Sequence, residues 1–316
     1  MIKRILKEYW YCFFVFILSF LLVFIKLPYT IERTGGLINL NDRIEGYETN
    51  GSFNMAYVAS SDANVLTYLY SLIDRNWDAI PVNKNTTQKE TDYLGKRYFQ
   101  TSNQVAELVA YKLANKDIKI DKTHFYVTYV DENSKSDIEI GDEIIAINGT
   151  NITNENDISE LINQSKKTVK LTVLNNDKKL TRTAKKYTLD GKEVIGILIL
   201  PSFEFKSNLK FKSDNTEYGP SGGFMMALTI YDHITNSNLA KGRIIAGTGT
   251  IALDGTVGEI GGVKHKIKGA VNNGAEIFFV PKENYKEAIN LKKKYNYNID
   301  VVKITNIQEA IDYLKK

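Results

Sequence analysis

The chain has 316 residues, of which 43% are hydrophobic, so it is long enough for two or three compact units with buried cores. The formal net charge at pH 7 is only +4 and is spread along the chain, so no nucleic acid partner is predicted. The single cysteine, Cys12, excludes an intrachain disulfide, and neither a cysteine nucleophile nor a cysteine metal site is expected.

The N-terminal segment is apolar and aromatic. From Tyr9 to Ile25 it carries no charged side chain, a length at the short end of the about 17–25 residues that span a bilayer. The amine of Lys26 can reach the headgroups and so extend the apolar length. We predict a transmembrane anchor over residues 9–27, within an N-terminal unit of residues 1–27. The alternative is a cleaved signal peptide, although the residues after the run are too bulky for the usual small-residue cleavage site.

Basic residues precede the apolar run at Lys3, Arg4 and Lys7. By the positive-inside rule, these charges place the N-terminus in the cytoplasm and the remainder of the chain on the other side. The sequence therefore predicts a single-pass protein of the cell membrane in which the chain after the anchor is extracellular.

Residues 28–117 are predicted to form a membrane-proximal α+β module. Residues 53–58 alternate as a strand does, Asp62 is placed to cap a following helix, and residues 92–114 have apolar side chains at helical spacing. No residue type here indicates catalysis, so we expect the module to pack and to act as a spacer above the membrane.

Residues 118–186 have the pattern of a β-rich domain. A strand at 124–130 is followed by Gly-Asp-Glu-Ile-Ile-Ala-Ile-Asn-Gly at 141–149, then by a short helix and a hairpin. This combination resembles the PDZ domains of bacterial proteases. The resemblance implies a module that binds an extended peptide as an added strand beside its helix.

Residues 187–316 alternate strand and helix, which predicts an α/β unit. The apolar run at 193–200 is predicted as one buried strand. Further strands are expected at 243–246, 250–253, 276–280 and 299–304, and helices at 222–234, 264–273, 282–295 and 307–314.

Two short segments of this unit indicate chemistry. They are Gly-Pro-Ser-Gly-Gly at 219–223 and Gly-Gly-Val-Lys-His-Lys at 261–266. A serine hydroxyl is a poor nucleophile until a base takes its proton, and a lysine amine can be that base when burial disfavours its ammonium form. Lys264 opens a predicted helix whose positive end also disfavours a cation, whereas Lys266 and Lys268 are expected to be solvated.

The same segments also partly fit the motifs of other protein classes. Gly-x-Ser-x-Gly also occurs in α/β-hydrolases, but that triad needs a later acid and histidine, and only His233 and His265 follow Ser221. The run at 246–252 contains Gly-x-Gly-x-x-Ala, yet a turn follows it where a dinucleotide site needs a helix, so no cofactor is predicted. The histidines lack metal-ligand spacing, so no metal site is predicted either.

From about residue 190 to the end, the chain resembles the Lon-type serine peptidases, which use a Ser-Lys dyad. The shared features are the Gly-Pro-Ser turn, a Thr-Gly strand end and an Ile-Gly-Gly-hydrophobic-Lys segment, in that order. The resemblance implies that Ser221 is the nucleophile, Lys264 the general base and Thr248 the residue that orients Lys264. Gly222 replaces the alanine of the family pattern, and its backbone N–H is expected to stabilise an oxyanion.

The complete layout resembles membrane-anchored bacterial proteases that join a PDZ domain to a Lon-like proteolytic domain. No Gly-x-x-x-x-Gly-Lys-Ser/Thr loop occurs in the sequence. The resemblance implies an ATP-independent endopeptidase that cleaves exported peptides or exposed segments of membrane or secreted proteins. The alternative is a catalytically silent, membrane-anchored PDZ adaptor or envelope scaffold. No oligomeric state is predicted.

Overall fold

The computed structural model describes residues 2–82, 86–212 and 217–316. Within these ranges the chain forms eight α-helices and seventeen strands. The helices are α1 (Ile2–Phe24), α2 (Val65–Ser71), α3 (Gln88–Leu113), α4 (Glu155–Gln164), α5 (Gly223–Thr235), α6 (Val263–Asn272), α7 (Lys282–Tyr295) and α8 (Ile307–Lys315). The strands are β1 (Lys26–Asn39), β2 (Ser52–Asn64), β3 (Trp77–Pro81), β4 (Ile120–Val130), β5 (Lys135–Ser136), β6 (Glu143–Ile147), β7 (Thr150–Asn151), β8 (Thr168–Asn175), β9 (Lys178–Lys185), β10 (Tyr187–Leu189), β11 (Lys192–Val194), β12 (Ile197–Phe205), β13 (Ile244–Gly247), β14 (Thr250–Ile251), β15 (Val257–Gly258), β16 (Ile277–Pro281) and β17 (Asp300–Ile304).

Most of the predicted anchor lies in α1. Aromatic side chains follow one another along this helix, with ring contacts from Phe16 to Phe20 and from Phe20 to Phe24. In the part of the chain that the structure describes, no helix has the length and apolar character needed to cross a membrane.

A six-stranded sheet joins the N-terminal and C-terminal parts of the chain. Its strand order is β17-β16-β13-β2-β1-β3. β13 runs parallel to both β16 and β2, whereas β2, β1 and β3 are antiparallel neighbours. The sequence analysis predicts separate units at 28–117 and 187–316, but the strands of both segments share this sheet. The reason is that β2 supplies the parallel partner that β13 needs on the side away from β16.

The sheet has one apolar core on each face. Met55 and Ile245 belong to a core with α3, α5 and α8, whereas Ala56 and Ala246, their immediate neighbours in β2 and β13, belong to a core with α6 and α7. Because successive side chains of a strand point to opposite faces, the two cores lie on opposite sides of the sheet. α5 and α6 are therefore separated by the sheet.

The PDZ-like part has its own sheet, in the order β12-β4-β6-β8-β9-β5, with β7 paired to β6. Its first strand comes from the segment predicted to be proteolytic. The predicted single strand at 193–200 is wrong, because Gly196 has a left-handed φ of 73° and separates β11 from β12. β12 then continues to α3, where the side-chain oxygen of Gln104 accepts hydrogen bonds at 3.0 Å from the Ser202 hydroxyl and the Phe203 N–H.

The start of α2 also differs from the prediction. Asp62 does not cap this helix but lies inside β2, where it forms an exposed ion pair with Lys26. Asn64 is the cap, and it exchanges side-chain and backbone hydrogen bonds with Thr67. The strand β2 thus continues for two residues beyond the predicted helix cap.

Candidate active site

Ser221 lies in the turn that leads into α5. Its carbonyl accepts hydrogen bonds from the Gly249 N–H at 2.8 Å and from the Thr248 hydroxyl at 3.0 Å. The Phe224 N–H donates back to the Gly249 carbonyl at 3.1 Å. The two Gly-rich segments are therefore held side by side, and the backbone of Ser221 is fixed from the strand that carries Thr248.

α3 fixes the other side of the same turn. The Ser102 hydroxyl donates to the Pro220 carbonyl at 3.0 Å, and the Gly219 N–H donates to the Gly95 carbonyl at 2.9 Å. Gly95 and Ser102 are two helical turns apart and so lie on one face of α3. The sequence analysis misses both residues, although their small side chains at this spacing are the available signal for close approach.

The glycine at 222 is explained by packing. A Cβ at this position would lie only 1.7 Å from the Sδ atom of Met55, a buried side chain of β2. The alanine of the family pattern therefore does not fit unless Met55 moves. The glycine at 222, where the family pattern has alanine, thus leaves room for Met55, a residue that is distant in the sequence.

The hydroxyl of Ser221 and two backbone N–H groups of this turn are available to a ligand. Ser221 is half-buried, and its hydroxyl makes no hydrogen bond to any residue that the structure describes. In the same described ranges, neither the Ser221 N–H nor the Gly222 N–H donates a backbone hydrogen bond. Unpaired N–H groups at a helix start can stabilise a negatively charged oxygen, so this geometry suits an acyl-transfer intermediate.

Lys264 is placed differently. Gly262 caps α6 with a left-handed φ of 70°, and Lys264 follows in the first turn. Its amine lies 2.6 and 2.5 Å from the two carboxylate oxygens of Asp78 and donates to the Arg75 carbonyl at 3.0 Å. Among the described residues, Lys264 has no hydrogen bond to Ser221 or Thr248. The sequence analysis predicts that the Thr248 hydroxyl contacts Lys264, whereas in the structure this hydroxyl donates a hydrogen bond to the Ser221 carbonyl.

The sheet explains this separation. Ser221 is held beside β13 and β2, whereas Asp78 belongs to β3, at the far side of β1. At about 4.8 Å between strands, two to three strand spacings amount to roughly 10–14 Å.

Asp78 also contacts the next residue of α6. His265 is almost completely buried, and its Nε2 lies 2.9 Å from the Oδ2 atom of Asp78. Partial burial raises the pKa of Asp78, but the hydrogen bond and charge of Lys264 together with His265 outweigh this and lower it. Burial lowers the pKa of His265, against the raising effect of Asp78. The carboxylate is thus charged at neutral pH and is shared by two side chains of α6.

Lys266 is the buried lysine of this helix. Only 4% of its surface is exposed, so the expectation that it is solvated is wrong. It is on the apolar face of α6 because it is spaced three or four residues from Val263 and Ala270. Burial lowers its pKa from 10.5 to about 8, with a smaller raising effect from Glu32. The desolvation that the sequence analysis expects for Lys264 is therefore found two residues later.

Within residues 2–82, 86–212 and 217–316, no group of three or more His, Cys, Asp or Glu side chains is placed to hold a metal ion. The groups that the Ser221 turn presents are a hydroxyl and backbone N–H groups.

Comparisons with known proteins identify two domains in the chain. Residues 215–315 match the C-terminal proteolytic domain of Lon protease (S16), and residues 126–175 match a PDZ domain. The chain is 33% identical over 96 residues to Lon protease 2 of Borreliella burgdorferi, which covers 30% of this chain and 12% of that protein. It is 34% identical over 98 residues to Lon protease of Mesomycoplasma hyopneumoniae, which covers 31% of this chain and 11% of that protein.

The matched part is a small share of these relatives. The aligned region spans only about an eighth of the length of the curated relatives, 12% and 11% for the two above. The match to the proteolytic domain at 215–315 contains Ser221, Thr248 and Lys264, the residues of the predicted dyad and its support. The chain therefore carries a Lon-type (S16) serine peptidase domain together with a PDZ domain.

Proposed function

We propose that this protein is an ATP-independent endopeptidase in which Ser221 is the nucleophile and a lysine of α6 is the general base. The sequence analysis predicts Lys264 for this role, but its amine is paired with Asp78, whereas burial lowers the pKa of Lys266 to about 8, so we propose Lys266 as the base. The observation that carries this proposal is the Ser221 turn, which lies in a Lon-type domain, is fixed on both sides and has a free hydroxyl beside unpaired N–H groups. A fixed nucleophile at a helix start is the geometry that acyl transfer requires.

The reaction follows from these groups. The neutral amine of Lys266 takes the proton of the Ser221 hydroxyl while the oxygen attacks the scissile carbonyl. The N–H groups of Ser221 and Gly222 stabilise the oxyanion. As the C–N bond breaks, Lys266 gives the proton to the leaving amine, and the same lysine then activates the water that hydrolyses the acyl-enzyme. Thr248 fixes the carbonyl side of Ser221 throughout.

The PDZ domain is proposed to present the substrate. β12 is an edge strand of the PDZ sheet, and in the described part of the chain its second side has no strand partner. Ile197 and Ile199 of β12 pack on the same core as Leu161 and Ile162 of α4. An extended peptide can pair with such an edge, so we propose exported peptides or exposed segments of membrane and secreted proteins as substrates.

We further propose that residues 9–27 attach the protein to the cell membrane, with a cytoplasmic N-terminus and an extracellular catalytic domain. Tyr9, Trp10 and the apolar side chains that follow in α1 are largely exposed, an arrangement that is unfavourable in water. α1 contacts α2, and Ile73, two residues after the end of α2, is 81% exposed. Vesicle flotation of the full chain, and protease protection of each terminus, test attachment and orientation.

The alternative function is a catalytically silent PDZ adaptor or scaffold, and one observation favours it. The amine of Lys264 is paired with Asp78 and has no bond to Ser221 among the described residues. If Lys264 is the base, as the sequence analysis predicts, a protein fixed in this arrangement would bind peptides without cleaving them.

Peptide cleavage by the purified full chain decides between the two functions. An unstructured protein and fluorogenic peptides are incubated without ATP, alongside Ser221→Ala, Lys266→Ala and Lys264→Ala. The endopeptidase predicts cleavage that Ser221→Ala and Lys266→Ala lose and Lys264→Ala retains, while all variants keep the circular dichroism of the parent. Equal cleavage by the parent, Ser221→Ala and Lys266→Ala would reject the dyad. Peptide binding without any cleavage would support the adaptor.

A further inference from the structure

The short helix α2 carries its apolar side chains on the outside of the molecule. Leu66, Leu69, Tyr70 and Ile73 are spaced three or four residues apart, so they lie on one face of α2 and of the turn that follows it, here called the outward face. A helix normally buries such a face against a core. In this chain all four side chains are exposed, and so is Leu72, whose exposed fraction is 68%.

The surroundings of the outward face are aromatic. The ring of Tyr68 lies 4.8 Å from that of Tyr29 in β1, and the ring of Tyr70 lies 4.9 Å from that of Trp77 in β3. Tyrosine and tryptophan are the side chains that proteins place at the boundary between membrane and water, because each has an apolar ring and a polar end. The outward face is therefore bordered by residues that suit a lipid headgroup region.

Basic side chains lie at the edge of the same surface. The guanidinium of Arg33 is over the ring of Trp77, at 5.3 Å from its centroid, and Arg75 is exposed two residues after Ile73. Neither arginine forms an ion pair with a residue that the structure describes. Guanidinium groups bind phosphate with two parallel hydrogen bonds, so both arginines are free to bind lipid phosphates.

The acidic residues near this edge are already engaged. Asp62 is paired with Lys26 at 2.8 Å. Asp74 accepts hydrogen bonds from the hydroxyl of Tyr70 and from the backbone N–H of Asn76. The carboxylates are thus bonded within the protein, and the two arginines are the charged groups that this surface offers to a ligand.

The position of α2 in the chain indicates what covers the outward face. α1 contacts both α2 and β2, and a single residue, Ile25, separates the end of α1 from the start of β1. If residues 9–27 enter a bilayer, α2 therefore lies at its surface. A bilayer would then cover the outward face without any further partner.

We propose that the outward face of α2, together with Leu72, inserts into the interfacial region of the bilayer as a second membrane contact. The inference goes beyond the proposed attachment through residues 9–27 and rests on it. The apolar side chains enter the boundary between headgroups and acyl chains, while Arg33 and Arg75 bind lipid phosphates. One anchor helix leaves the attached domain free to rotate, whereas two contacts fix the orientation of the sheet, with its edge strand β3 toward the membrane.

The test places a fluorescent label on the outward face of the full chain. Cys12, the single cysteine, is replaced by serine, and an environment-sensitive NBD dye is attached at Ile73→Cys. The matched control is Leu198→Cys, because Leu198 is also a largely exposed apolar residue but belongs to β12 of the PDZ sheet. Both proteins are checked by circular dichroism and reconstituted into vesicles of phosphatidylcholine and phosphatidylglycerol, with or without a phosphatidylcholine that carries a nitroxide near the headgroup.

The spin-labelled lipid is expected to lower the emission of the dye at 73 by about twofold or more, because an inserted interfacial helix lies at the depth of the nitroxide. The dye at 198 is expected to keep its emission. The quenching at 73 should be the same when the protein is diluted in lipid. A blue-shifted emission that is not quenched by the lipid and is lost on dilution would overturn the proposal, because a second copy of the chain would then cover the face.

The attachment and the second contact fail in different ways. If the chain floats with the vesicles and the dye at 73 is quenched no more than the dye at 198, the outward face does not contact lipid and only the attachment through residues 9–27 stands. If the chain does not float with the vesicles, both the attachment and the second contact are rejected.

Discussion

Lys266→Met is expected to stabilise the protein at neutral pH. The folded state lowers the pKa of Lys266 from 10.5 to about 8, because the side chain is buried on the apolar face of α6. Each pKa unit corresponds to 1.36 kcal/mol, so carrying the charge costs the folded state about 3 kcal/mol at pH 7. The unfolded chain binds the proton more tightly, so the cost applies fully below pH 8 and disappears as the pH rises toward 10.5. Methionine has a similar length and carries no charge.

Urea unfolding at pH 7, 8, 9 and 10 measures this effect, with fluorescence of Trp77 in β3 as the probe. The other tryptophan, Trp10, is replaced by phenylalanine in all proteins compared. Lys266→Met is expected to be more stable by about 2–3 kcal/mol at pH 7, with a gain that shrinks as the pH rises. Lys268→Met is the matched control, since Lys268 is partly exposed and bonds to Asn76. A gain that stays constant from pH 7 to 10, or a loss of stability at pH 7, would refute the reasoning.

Three further outcomes are expected. Gly222→Ala is expected to destabilise the folded protein by about 1–3 kcal/mol, because the added methyl group clashes with Met55. In a double-mutant cycle with Met55→Ala, measured by urea unfolding, the two substitutions show a favourable coupling above about 1 kcal/mol, and additive effects would contradict the packing argument. Ser102→Ala removes the hydrogen bond to the Pro220 carbonyl and is expected to lower the free energy of unfolding by about 1 kcal/mol. In peptide cleavage it lowers kcat more than it changes KM, and an effect on KM alone would contradict its role in the Ser221 turn. A fragment of residues 217–316 is unfolded by circular dichroism because β13 loses β2, and cooperative unfolding of that fragment would count against this.

Local patterns in the sequence predict the C-terminal helices well. The helix predicted at 282–295 is confirmed as α7, and the one predicted at 222–234 is shifted by one residue in α5. Both depend on apolar spacing and end signals within about four turns, which a single sequence displays directly. The strand predicted at 193–200 fails for an equally local reason, because Gly196 takes a left-handed conformation that an apolar run does not reveal.

Strand partners are harder to predict than strands. The alternation at 53–58 indicates a strand in the N-terminal part, but it does not reveal that Phe53 pairs with Ile245. The choice depends on two surfaces that are distant in the sequence and meet only when α3 packs on α5. For the same reason, the spacing of the motif names Ser221 and Lys264 but not Met55 or Asp78. Pair contacts of this kind are properties of the folded sheet.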